Sequence, residues 1–307
     1  MKPQIIILLS TWNGEKYLRQ QLDSLLSQTV IDRMQILVRD DGSSDETVAI
    51  LKEYEKTGKL TFYQGKNLGS TQSFFQLLID APKADYYAFC DQDDYWLKEK
   101  VGKAVQGIEK IQEPALYCSR KIIVDQDLHE LPRSDVDPSM SVLDNFIRNN
   151  KASGCTMVIN HKLREIFLRY RPQMVPFHDS WIYKLALFFG KVVYSRESYI
   201  KYRQHGNNVT GAEAHGIQLL LKRLKHFDPT FHRYRDRGPR GMIAYATELL
   251  AGYDDILKPE DKKILIELRD IKKSFSNRLH IFLTPGLGMS PLYEYLGLKL
   301  FILLGWV

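Results

Sequence analysis

Along the first two hundred residues the apolar positions keep two rhythms in turn. Short continuous runs at 4–9, 34–39, 60–64 and 85–90 have the length and bulk of buried strands. Between the first two lies a stripe spaced near 3.6 residues, Leu18, Leu22, Leu25, Leu26 and Val30, which predicts a helix. Ser43 and Glu46 make a capping-box pattern at the start of the next helix, Gly58 closes it, and a third helix is expected over 70–80. Further strands are predicted at 115–124, 154–160, 191–195 and 198–203, with helices near 141–148, 161–170 and 179–189. Strands and helices that alternate in this way make an α/β sheet. After about residue 211 only helical periodicity remains. Ile264, Leu268, Ile271, Phe275, Leu279 and Phe282 read as one face of a single long helix. The expected organisation is an α/β domain over 1–211 and a helical segment over 212–307.

In an open α/β sheet, ligands sit beyond the carboxyl ends of the strands. Three of those ends are unusually polar: Ser10-Thr11-Trp12-Asn13-Gly14, Asp40-Asp41-Gly42-Ser43-Ser44 and Asp91-Gln92-Asp93-Asp94. Trp12 offers a flat face for stacking on a base, and a carboxylate such as Asp41 can accept a hydrogen bond from a pyrimidine imide. Each stretch alone also reads as an ordinary turn. The close aspartates suit a hard divalent cation, Mn²⁺ or Mg²⁺, held together with substrate phosphates. No G-x-x-x-x-G-K-[ST] loop and no G-x-G-x-x-G follows a strand, which excludes the two commonest phosphate-binding loops. Asp179, in Phe177-His178-Asp179-Ser180-Trp181, reads either as a helix N-cap or as a general base in a partly apolar cleft. Arg203 and His205 close the last expected strand, where the first can pair with a diphosphate and the second can complete a metal shell.

Composition narrows this picture only at its edges. The formal net charge is +6, and residues 222–240 carry seven Lys/Arg against Asp228 and Asp236. Such a patch suits an anionic surface or ligand, and equally a solvated helix face. Three widely spaced cysteines, Cys90, Cys118 and Cys155, read as reduced buried thiols, so a cytoplasmic setting is expected. The amino-terminal apolar run is too short for a signal-peptide core and reads as a first strand. Residues 292–307 are apolar but contain Glu294 and Lys299, short of the roughly 20 apolar residues that span a bilayer.

Taken together, these motifs resemble the family 2 glycosyltransferases of the GT-A fold. The matching pieces are Ser10-Thr11-Trp12-Asn13, Asp40-Asp41-Gly42-Ser43, Asn67-Leu68-Gly69, Asp91-Gln92-Asp93-Asp94, His178-Asp179-Ser180-Trp181 and Gln204-His205-Gly206-Asn207-Asn208. They appear in family order over about residues 4–210, and the last three look like those of bacterial rhamnosyltransferases that use dTDP-L-rhamnose. The resemblance implies a mixed, Rossmann-like sheet and metal-dependent inverting transfer. Asp179 would be the base. Ser10, Thr11, Trp12, Asn13, Asp41, Asn67, Asp91, Gln92, Trp181 and Arg203 would bind the nucleotide sugar, and Asp93 and His205 the metal. It further implies a dTDP- or UDP-sugar donor and a glycan or lipid-linked acceptor. From composition, the C-terminal helices would touch the cytoplasmic membrane face. Nucleic acid is not expected as a partner, and self-association is left open. Two alternatives remain: the same mechanism with a UDP-hexose, or a non-catalytic nucleotide-sugar-binding scaffold, against which the presence of both Asp93 and Asp179 argues.

Overall fold

The computed structural model describes residues 4–132, 138, 141, 142, 145, 146, 152–205, 239–284, 299 and 302–305. The chain divides into two compact units. The first comprises 1–142, 150–171 and 177–203, and the second 143–149, 172–176 and 204–307. The boundary expected near 211, the helix at 141–148 for the most part and the basic stretch 222–240 up to residue 238 lie outside the described residues.

The first unit is built on an eight-stranded sheet of order β3-β2-β1-β4-β7-β6-β8-β5. Its strands are β1 (Ile5–Thr11), β2 (Met34–Asp40), β3 (Leu60–Gln64), β4 (Tyr86–Cys90), β5 (Tyr95–Trp96), β6 (Ala115–Val124), β7 (Val158–Asn160) and β8 (Lys191–Arg203). β3, β2, β1 and β4 run parallel, so their carboxyl ends share one edge. β7 pairs antiparallel with both β4 and β6, making the sheet mixed. The run Ile5–Leu9 is apolar throughout because helices cover both faces of the sheet. One face packs on α1 (Glu15–Leu26), α2 (Thr47–Glu55) and α4 (Lys100–Ile108), through Leu18, Leu22, Ile50, Val101 and Val105. Against the other lie α3 (Ser70–Asp80), α5 (His161–Leu168) and α6 (His178–Phe189). There Phe74 meets Phe89 edge-on at 5.9 Å between ring centroids, and Phe75 meets Phe167 at 5.2 Å.

The second unit holds α7 (Pro239–Tyr253), α8 (Pro259–Arg269) and α9 (Phe275–Leu283). Within it, buried Glu248 of α7 accepts backbone N–H bonds from Gln173 (2.9 Å) and Met174 (2.6 Å). The single long helix expected over 264–282 is two helices. Ser274 is extended, and its Oγ accepts the Asn277 N–H at 3.2 Å, so a new N-terminus starts there.

Other departures have equally local causes. The capping box does not form: α2 starts at Thr47, whose N–H is held by Asp45 Oδ1 at 3.0 Å. Ser43 is instead committed to the strand ends. The strand expected over 154–160 shortens to Val158–Asn160, because 154–156 wind into a 3-10 turn closed by Met157 N–H on the Gly154 carbonyl (2.8 Å). The two strands expected at 191–195 and 198–203 are one, since register slips against β6 absorb the irregular residues between them. β5 and α4 were not expected at all.

Candidate active site

The three polar strand ends lie side by side at one edge of the sheet, because β1 sits between β2 and β4. Much of their chemistry goes into wiring them to one another. Gln92 grips the backbone of Trp12 at both ends, accepting its N–H at 2.8 Å and donating to its carbonyl at 3.0 Å. Asn13, at φ 47°, donates its N–H to Ser43 Oγ (2.9 Å) and accepts the Ser44 N–H (2.9 Å) on its side chain. Thr11 and Ser43 both donate to the buried Asp40 carboxylate, at 3.1 and 2.5 Å. Ser10 shares a 2.7 Å bond with Ser73. Gln92, Asn13, Thr11 and Ser10 therefore order the rim, and Trp12 stands out from it 54% exposed.

Asp41 is only 3% exposed. Its carboxylate is bonded to the Arg39 guanidinium and accepts the N–H groups of Leu68 (2.9 Å) and Gly69 (2.9 Å). Asn67 in turn caps this turn through the Gly69 N–H at 3.0 Å and is itself exposed. The residue expected to meet a base thus pins the 67–69 loop to the end of β2.

Beyond β4 the chain turns at once, and a four-residue turn brings its first and fourth members together. Asp91, Asp94 and Cys155 consequently offer ligand atoms within 4.8 Å of one another. This set differs from the expected pair, Asp93 and His205. Asp93 takes the middle of the turn, where its backbone carbonyl accepts Arg203 Nε at 2.8 Å, and His205 belongs to the second unit. Arg203 is buried, and besides Asp93 its guanidinium serves the Gln126 carbonyl and Gln20 Oε1 while stacking 4.4 Å over Tyr17. Its own N–H reaches Asp94 Oδ1 at 3.2 Å. It is an anchor for the turn, not a group presented to a diphosphate. Trp181, expected at the nucleotide sugar, is fully buried in the core.

The electrostatics mark Asp91 and Asp94 as the strained pair. Burial raises the pKa of each, the charge of Asp93 raises it further, and Asp179 also acts on Asp91. Asp94 Oδ2 is buried and accepts no hydrogen bond from the described residues. An orphaned carboxylate oxygen beside a second carboxylate fits a hard divalent cation. Cys155 fits it poorly, because burial pushes its thiol pKa up and keeps it protonated. Beneath the turn lies Lys100, a buried ammonium 3.4 Å above the Trp96 ring, with no hydrogen-bond partner among the described residues. Burial lowers its pKa to about 8.

Asp179 is the second residue of α6, and Phe177 occupies the N-cap. The carboxylate is held by the turn before β7, with Gly154 donating its N–H to Oδ2 at 3.1 Å. Gly154 is glycine for a steric reason: an added Cβ would lie 2.5 Å from His178 Nε2 and 3.3 Å from Asp179 Cβ. His178 has no room to yield, since its ring stacks on Phe74 at 4.1 Å and tilts against Phe89 at 5.5 Å. Gly154, Cys155 as a site residue, Lys100 and Lys121 escaped the sequence reading. A Ser-Gly-Cys-Thr stretch beside an apolar run could have drawn attention to the first two.

The model of the family described as "Glycosyl transferase family 2" matches residues 6–170, more than half of the chain. The chain belongs to glycosyl transferase family 2. Among its relatives is the dTDP-rhamnosyl transferase RfbG of Shigella flexneri, 28% identical over 70% of this chain and 78% of that protein. An uncharacterized glycosyltransferase of Rickettsia typhi is 26% identical over 70% of this chain and 69% of its own length. Among solved structures, S. aureus TarS 1–349 in complex with UDP-GlcNAc superposes with a TM-score of 0.60 at 18% identity, covering 97% of this chain and 79% of that one. Mannosyltransferase PcManGT from Pyrobaculum calidifontis, in complex with GDP-Man and Mn²⁺, gives a TM-score of 0.56 at 13% identity, with 100% and 86% covered. The family 2 chain thus has the GT-A fold, followed by C-terminal helices, and is a glycosyltransferase.

Proposed function

We propose that this family 2 glycosyltransferase transfers L-rhamnose from dTDP-L-rhamnose, with inversion, to a glycan or lipid-linked acceptor. The observation that carries the reading is the placement of Asp179: a carboxylate held by Gly154 N–H, with its charge felt by Asp91 at the end of β4. A single displacement needs a base for the incoming hydroxyl on one side of the sugar and a stabilised leaving group on the other. Asp179 is suited to the first role. It would take the acceptor hydroxyl proton as that oxygen bonds to the anomeric carbon and the bond to the diphosphate breaks. Asp91 and Asp94 would hold a divalent cation, which would neutralise charge on the departing diphosphate. Trp12 supplies a face for the base, and the Gln92 and Asn13 bonds keep it in place.

The dTDP-rhamnose choice rests on the likeness to RfbG. A UDP-hexose is the competing donor, because thymine and uracil present the same imide edge. A panel of dTDP-, UDP- and GDP-sugars, assayed for nucleotide diphosphate release with and without chelator, should give metal-dependent release from dTDP-L-rhamnose. Release from another donor alone would move the specificity, and full activity in chelator would remove the cation. Asp179→Asn should abolish release while leaving nucleotide binding intact; if turnover survives, Asp179 is not the base.

The second unit favours a membrane-facing role at the cytoplasmic side. On α9, Phe275 (59% exposed), Leu279 and Leu283 (64% exposed) recur every four residues, an exposed apolar stripe with Lys272, Lys273 and Arg278 beside it. No described helix is long and apolar enough to cross a membrane. Cosedimentation with anionic vesicles should fall several-fold in a Phe275→Ser, Leu283→Ser double variant; undiminished binding would dismiss this role.

A further inference from the structure

Lys121 is a half-buried cation that the mechanism above does not use. Lys121 lies on β6 where that strand loses register with β8: Arg120 pairs with Ser198 and Ile122 with Lys201, and slips fall on either side of Arg120. Bulges of this kind re-aim a side chain. The half-buried Lys121 ammonium bonds to Ser153 Oγ and lies 4.0 Å from the centre of the Tyr202 ring.

Ser153 opens the turn that carries Gly154. Its carbonyl accepts both the Thr156 N–H (2.9 Å) and the Thr156 hydroxyl (2.7 Å), so the turn is a closed unit with few ways to move except as a whole. The next residue, Gly154, donates to Asp179 Oδ2. Lys121, Ser153, Gly154 and Asp179 therefore form a continuous chain of polar contacts from the bulge in β6 to the carboxylate on α6. A surface lysine would keep its rotamer freedom; this one is held by a hydroxyl and an aromatic face.

We propose that Lys121 is a positioning residue for the base: by gripping Ser153 it fixes the turn whose Gly154 N–H sets the orientation of the Asp179 carboxylate. The proposal rests on Asp179 being the base, and goes beyond it in naming what holds that base.

The test compares Lys121→Met, Lys121→Arg and Ser153→Ala in the full chain, each checked for wild-type melting. Amide exchange at Gly154 is the readout that needs no substrate. It should quicken about tenfold in Lys121→Met and Ser153→Ala, and return toward the wild-type rate in Lys121→Arg. On the donor that the wild-type chain turns over, the first two should lose about tenfold or more in kcat with donor KM within about twofold. Unchanged exchange at Gly154 in Lys121→Met overturns the proposal. So does a raised donor KM in Lys121→Met with Ser153→Ala silent, which would make Lys121 a donor-binding charge. If Asp179→Asn retains turnover, the reading of the base falls, and that result is separate from either exchange outcome.

Discussion

Replacing Gly154 by Ala tests the site at the point where packing and chemistry meet. The added methyl would sit 2.5 Å from His178 Nε2, about an ångström inside ordinary contact, and 3.3 Å from Asp179 Cβ. The imidazole cannot swing away, being stacked at 4.1 Å on Phe74, itself buried in the core. Relief must come from the first turn of α6 backing off the 154–156 turn by something near an ångström. Overpacking of this sort costs about 1–3 kcal/mol of stability. A misplacement of about 1 Å at a reacting group costs on the order of 10²-fold in rate. The Gly154→Ala chain should therefore melt lower but remain folded, bind nucleotide diphosphate as the wild type does, and lose about 10²-fold in kcat. Calorimetry gives the first two, and nucleotide diphosphate release gives the third. A variant with wild-type kcat and the Asp179–Gly154 bond intact would refute the claim that the α6 start is sterically fixed against this turn.

His178 should make the fold acid-sensitive. Burial lowers its pKa to about 4 from an ordinary value near 6.5. Between those values the unfolded chain binds a proton that the folded chain refuses, so stability falls as pH drops through this window, by about 3 kcal/mol in all. His178→Phe keeps the stacking and should remove that part of the pH dependence in urea melts; an unchanged slope would show that His178 is protonated in the fold. Asp41→Asn leaves the buried Arg39 guanidinium short of its counter-charge and should cost about 3 kcal/mol. A loss below about 1 kcal/mol would mean that Ser73 and the Lys66 carbonyl hold Arg39 unaided. Trp12→Ala removes an exposed ring and should leave stability unchanged while raising donor KM about tenfold; an unaltered KM would deny the stacking role.

The sheet was legible because a strand covered on both faces must be apolar at nearly every position: β1 and β4 announce themselves that way, and β2 and β3 keep enough bulky apolar residues to be read as strands. The three polar strand ends were legible for the complementary reason, since aspartate and asparagine directly after such a run have only the sheet edge to occupy. What the sequence hid were roles decided by tertiary burial. Trp181 and Arg203 look like ligand contacts when read in line, yet one fills the core and the other ties the Asp91–Asp94 turn to distant carbonyls. Lys100 lies in a stretch where no helix was expected, and only its packing against Trp96 shows it to be internal. Ser43 satisfies a capping pattern perfectly well on paper, but the Asp40 carboxylate is nearer and claims it.

The wiring of the strand ends has a thermodynamic consequence. Gln92 ties the β4 exit to the β1 exit, and Asn13 ties the β1 exit to the β2 exit, so no end can shift without pulling its neighbour. Loops that a ligand must first freeze charge their ordering entropy against affinity. Here that ordering is met when the chain folds. The rim behaves as a braced frame, and a donor arriving at Trp12 inherits an orientation that was fixed before the encounter. Substitutions at Gln92 or Asn13 should for that reason be felt as lost affinity at a ring neither residue need touch.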